Sequence, residues 1–130
     1  MSVLDASVVL ELLTGGASAD SLRRDLAGSE GPFLVPHLLD VEVASALGRL
    51  VAGRRIDARR SREFLGGLAA LPAERYSHIP LLGRIWELRH KFTACDAAYI
   101  ALAEATGSFL YPCDEKLAKG HRARVVLCSR

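Results

Sequence analysis

The sequence predicts an α/β domain with a parallel sheet, on two observations. Short apolar or β-branched runs bounded by turn residues occur at 2–4, 33–35, 109–111 and 124–127, and these read as strands. Between them lie segments of helical periodicity: Leu39, Val43, Ala46, Leu47 and Leu50, then Phe64, Leu65, Leu68 and Leu71, then Ile85, Leu88 and Phe92. Strands that alternate with helices form parallel βαβ units, and such sheets place their ligands beyond the carboxyl ends of the strands.

The first strand runs directly into Asp5, within VLDASVV, where an Asp before a helix is a favoured N-cap and Ser7 can share that duty. A weaker strand is expected near 76–79, before Pro80 opens the next helix at a position where its missing N–H costs little. AAYIALA, seven uncharged and mostly apolar residues after Asp96, predicts a helix buried nearly all round. No repeat, linker or low-complexity segment interrupts the pattern. A chain of 130 residues buries one core and not two, so a single domain over 1–130 is expected.

Hydrophobic residues at 50% and charged residues at 25% describe an ordinary globular protein and exclude a disordered tail. The N-terminal apolar run is broken by Asp5 and Glu11 with no basic segment before it, so neither a signal peptide nor a membrane span is expected. Cys95, Cys113 and Cys128 are odd in number and form no CxxC pair, which suggests neither a disulfide framework nor a zinc knuckle and fits a reducing cytoplasm. A net charge of +2 identifies no partner.

The acidic residues are more informative. Asp5 and Asp114 each follow a strand, where a site belongs. Glu42 lies three residues after Leu39 and four before Ala46, on the apolar face of its helix, and a core-facing carboxylate is costly unless something pairs with it. Asp40 falls on roughly the opposite side and reads as solvated. Asp96 heads the apolar helix, with Thr93 at the spacing of a capping box. Four such acids brought together repel one another unless a cation intervenes. Carboxylates without a His or Cys cluster favour Mg²⁺ or Mn²⁺ over zinc, and His37, His78, His90 and His121 have no metal-binding spacing.

The four segments VLDASVV, VPHLLDVEVASAL, TACDAAYIALAEA and FLYPCDEKLA, in that order, resemble the motif set of PIN-domain nucleases and cover Val3 to Ala118. TxxDAAYIALAE is the most diagnostic of them. The resemblance implies a PIN-like twisted parallel sheet with helices on both faces. It also implies an acidic pocket of Asp5, Glu42, Asp96 and Asp114 that holds one or two Mg²⁺ or Mn²⁺ ions and hydrolyses RNA phosphodiester bonds. Ser7 matches the hydroxyl that often follows the first acid and orients a carboxylate or water, and Thr93 supports Asp96 in the same indirect way. Ser45 and Cys95 depart from the common Asn and Tyr.

Size and overall match resemble the VapC-type toxins of bacterial toxin–antitoxin pairs. That likeness implies a homodimer and a VapB-type antitoxin partner whose tail covers an apolar groove. Between Gly53 and Glu63 the chain carries Arg54, Arg55, Arg59, Arg60 and Arg62, which reads either as phosphate contacts for RNA, chiefly through Arg54, Arg55 and Arg59, or as a solvated interhelical corner. Lys116, Lys119, Arg122 and Arg124 form a second such patch. Trp86, in a periodic helix, is expected in the core or a dimer interface and not stacked on RNA. A receiver domain would need an acid pair after the first strand and a haloacid-dehalogenase phosphatase a DxD, and Ala6 and Ser7 supply neither. A PIN-like domain that only scaffolds or binds RNA would be expected to lack part of the acid set, which is present in full.

Overall fold

The computed structural model describes residues 1–111 and 115–126, so Asp114 and the end of the expected strand 124–127 lie outside it. Among the described residues, strands β1 (Ser2–Leu4), β2 (Phe33–Pro36), β3 (Ala73–Tyr76), β4 (Phe109–Tyr111) and β5 (Arg124–Val125) form one sheet in the order β3-β2-β1-β4-β5, parallel throughout. Helices α1 (Ala6–Thr14) and α2 (Ala19–Ala27) join β1 to β2. Helices α3 (Leu38–Ala52) and α4 (Ala58–Ala69) join β2 to β3, and α5 (Leu82–Glu87) and α6 (Ala94–Thr106) carry the chain back across the sheet to β4.

Strand order reverses direction between β1 and β4, the switch point at which such sheets open a crevice. Right-handed crossovers then put α1 to α4 on one face and α5 with α6 on the other. The packing agrees, since α1 touches α3 and α4 while α6 touches α5, β1, β2 and β4. Val3, Leu4, Leu34, Val35 and Leu110 in the three central strands are fully buried, as strands covered on both faces must be. Helix α6 is buried along its whole middle, Ala97 to Ala103, and four alanines in that stretch let it lie close to the sheet. Gly107 ends it at φ 65°, the left-handed cap that glycine adopts without strain.

Several expectations need correction. The third strand is β3, earlier than 76–79, because it is an edge strand whose side chains alternate half-buried and exposed and whose Glu74 and Arg75 hide it from an apolar search. Helix α2 has no counterpart in the periodic segments above, being a short helix that buries only Ala19, Leu22 and Leu26. Asp40 is not simply solvated. Arg75 donates to both its carboxylate oxygens, at 2.8 and 2.9 Å, and to the Leu68 carbonyl, so β3, α3 and α4 are tied at one point. Trp86 is not core: α5 buries the flanking Leu81 and Leu88 on one side and leaves Trp86 66% exposed, with the Arg89 guanidinium 4.3 Å above its ring.

Candidate active site

Asp5 leaves the carboxyl end of β1 in extended conformation, and its Oδ1 accepts the Val8 amide at 3.0 Å as the N-cap of α1. Ser7 donates to the same oxygen at 2.7 Å, so both local donors hold one oxygen. Only 5% of the residue is exposed. Burial chiefly, with the charges of Asp96 and Glu42 adding, outweighs those two bonds and pushes the Asp5 carboxyl up to about 6.

Glu42 sits on α3 beside the buried stripe Leu39, Val43 and Leu47, half-buried at the edge of the core rather than within it. Its Oε1 accepts the Tyr99 hydroxyl at 2.6 Å. Tyr99 is 1% exposed, and burial first, then the bond to Glu42, push its phenol far above its ordinary value and keep it a donor. Asp96 stands in the first turn of α6, where Thr93 accepts the Asp96 amide at 3.2 Å in the expected cap.

Asp5, Glu42 and Asp96 thus meet in one cleft of about 300 Å³, lined also by Ser7, Ala46, Arg49, Tyr99 and Lys116. The fourth expected acid, Asp114, follows β4 and lies outside the described residues. None of the four histidines lines the cleft. Among the described residues no group of three or more Asp, Glu, His or Cys side chains encloses a cation position by itself. The donors present are nonetheless all oxygen and mutually repulsive, which is the chemistry that a hard divalent ion relieves.

Two residues of the cleft escaped sequence reading. Tyr99 was hidden in an apolar run, although a phenol that deep needs a hydrogen-bond partner. Arg49 falls seven residues after Glu42, two helical turns along the same face. Arg54, Arg55 and Arg59 instead occupy the exposed corner between α3 and α4, and Arg59 with Arg62 lines a separate small hollow there.

The family model for the PIN domain matches residues 2–121. The chain belongs to the PIN-domain family. Within that family it falls among the VapC ribonucleases: Ribonuclease VapC1 of Mycobacterium tuberculosis is 43% identical over 118 residues, covering 89% of this chain and 87% of the relative. Ribonuclease VapC12 of the same species is 34% identical over 129 residues, 98% of each chain. Among solved structures, VapC20 of Mycobacterium tuberculosis, described as a sarcin-ricin loop cleaving toxin, superposes with a TM-score of 0.71 at 17% identity over 91% of this chain and 93% of that one. The PIN fold inferred from sequence is therefore the fold observed, and the cleft lies at its switch point between β1 and β4.

Proposed function

We propose that this chain is an endoribonuclease that hydrolyses RNA phosphodiester bonds with Mg²⁺ or Mn²⁺, and that it acts in the cytoplasm as the toxin of a VapBC-type pair. One observation carries the chemistry: Asp5, Glu42 and Asp96, from three separate elements, line one cleft. Asp5 and Asp96 would hold the ion, with Glu42 beside them and Asp114 as the further acid of the family pattern. The bound ion supplies Lewis acidity that makes water a nucleophile at neutral pH and neutralises charge developing at phosphorus. Ser7 and Val8 fix one oxygen of Asp5 and leave the other for the cleft. Tyr99 fixes Glu42, so the carboxylates are oriented before substrate arrives. No side-chain nucleophile is needed.

The toxin role is supported by the VapC relatives; the fold is shared with VapBC2 of Rickettsia felis, solved bound to a DNA fragment from its promoter (TM-score 0.73, 10% identity). A VapB-type antitoxin and a second copy of the chain are the partners this reading implies. No described helix is long and apolar enough to cross a membrane.

The test is to express the chain and its Asp96→Asn variant and map cleavage ends across total RNA with Mg²⁺, Mn²⁺ or EDTA. Wild type should arrest growth and cut RNA only with metal, and the variant should do neither. Undiminished cleavage in EDTA would sink the metal mechanism, and no cleavage by wild type would leave a scaffold.

A further inference from the structure

Helix α3 presents Glu42, Ala46 and Arg49 to the cleft at spacings of four and three residues, a single stripe along one face. Arg49 stands about 10 Å beyond Glu42 along the helix axis. The small side chain of Ala46 lies between them. Arg49 is exposed in the last turn of the helix, and among the described residues it makes no ion pair or hydrogen bond with a side chain. This distinguishes it from Arg75 and Arg84, whose guanidinium groups are committed to Asp40 and Glu104.

On the other side of the cleft Lys116 follows β4, in the short turn Glu115–Leu117. Its Nζ lies 3.7 Å from Asp96 Oδ2, an ion pair too long for a good hydrogen bond, and its side chain is 63% exposed. The acidic floor is therefore flanked by two exposed cations on different elements, while the denser Arg54 to Arg62 cluster lies outside the cleft. A polynucleotide presents a phosphate at every residue, so one phosphate over the carboxylates puts its neighbours within reach of the rim.

We infer that Arg49 and Lys116 are the positioning residues of the RNA backbone, each gripping a phosphate that flanks the one cleaved, Arg49 on the α3 side of the cleft and Lys116 on the β4 side. The inference rests on the nuclease reading and assigns its substrate contacts. Neither residue touches the bond being broken. Both act by holding the strand in line with the carboxylates.

The experiment measures binding of a fluorescent 20-nucleotide mixed-sequence RNA to the full chain in an inactive Asp5→Asn background, as a function of salt. Each lost phosphate contact on a single strand should reduce the slope of log affinity against log salt by about 0.7. Arg49→Ala and Lys116→Ala should each do so, and Arg49→Lys should restore the slope because charge is retained. The triple change of Arg54, Arg55 and Arg59 to Ala should move it less than Arg49→Ala alone. Binding by the parent with slopes unchanged in Arg49→Ala and Lys116→Ala overturns this inference and leaves the nuclease reading standing. A parent that binds no RNA overturns both.

Discussion

The Tyr99 hydroxyl lies 2.6 Å from Glu42 Oε1 and joins the buried helix α6 to the edge of α3 at the cleft. Removing that hydroxyl frees Glu42 to rotate while leaving a ring of the same shape in the core. Tyr99→Phe should therefore keep its circular dichroism spectrum and, with Glu42 beside the proposed ion, lose about tenfold in Mn²⁺ affinity, the size of effect seen when a hydrogen-bond partner behind a metal site is removed. A titration of melting temperature against Mn²⁺ reads this directly. Equal midpoints for wild type and variant would reduce Tyr99 to a packing residue.

Asp5 gives the fold a pH signature. Its folded-state pKa of about 6 lies above the 3.8 of an unperturbed carboxyl, so the folded state binds the proton more tightly. The resulting stabilisation is complete below pH 3.8 and is lost as pH rises through 6, a change of about 3 kcal/mol. In EDTA, wild type should fall in stability relative to Asp5→Asn between pH 4 and pH 7, since Asn still caps α1 but carries no charge. Urea denaturation of both proteins at the two pH values is the measurement, and parallel behaviour would contradict the desolvated carboxyl.

Arg75 ties three elements together through Asp40 and the Leu68 carbonyl. Arg75→Ala should destabilise the protein by about 1–3 kcal/mol, the range for lost charge-assisted hydrogen bonds at a partly buried site. Because the clamp and the cleft share no residue and Asp40 faces away from Glu42 on α3, the Mn²⁺ response of melting temperature should survive. Loss of that response together with stability would mean that the sheet edge and the cleft are coupled.

Ile79, Leu82 and Trp86 lie three and four residues apart and are 69%, 52% and 66% exposed, forming an outward apolar stripe that begins just before α5. Trp86→Ala should change the stability of the monomer by less than about 0.5 kcal/mol, as surface substitutions do. If this stripe is the homodimer contact, sedimentation should show weaker self-association of the variant. A loss above about 2 kcal/mol would contradict the exposed placement.

Legibility in the sequence followed burial. β1 and β4, central and covered on both faces, show as uninterrupted apolar runs, and their observed bounds are those expected. β3 lies at an edge, where charges are tolerated, so its pattern carried little signal. Asp5, Glu42 and Asp96 could be named because each breaks a local rule, by ending a strand, facing a core or heading an apolar helix. Asp40 was misread because its partner is Arg75, 35 residues away, and no local spacing reveals such a pair. Trp86 lies outside the core because α5 is only six residues long and buries none of its own residues, only the flanking Leu81 and Leu88 being buried. Tyr99 and Arg49 carried usable signals, a hydroxyl in a buried run and a seven-residue spacing from Glu42.

The strand at the very start of the chain occupies the middle of the sheet, with Ser2 aligned against Phe33 on one side and Phe109 on the other. A ribosome adding roughly 5–20 residues per second needs several seconds between the two neighbours. Until α6 follows, the nascent chain holds Asp5 with no carboxylate from that helix facing it, and until β4 follows its first strand is paired on one side only. The carboxylate cluster of the cleft therefore cannot form until α6 has been made, long after Asp5. A stop codon in the stretch that encodes β1 through α5 leaves a fragment without Asp96, which cannot bring the three carboxylates of the cleft together.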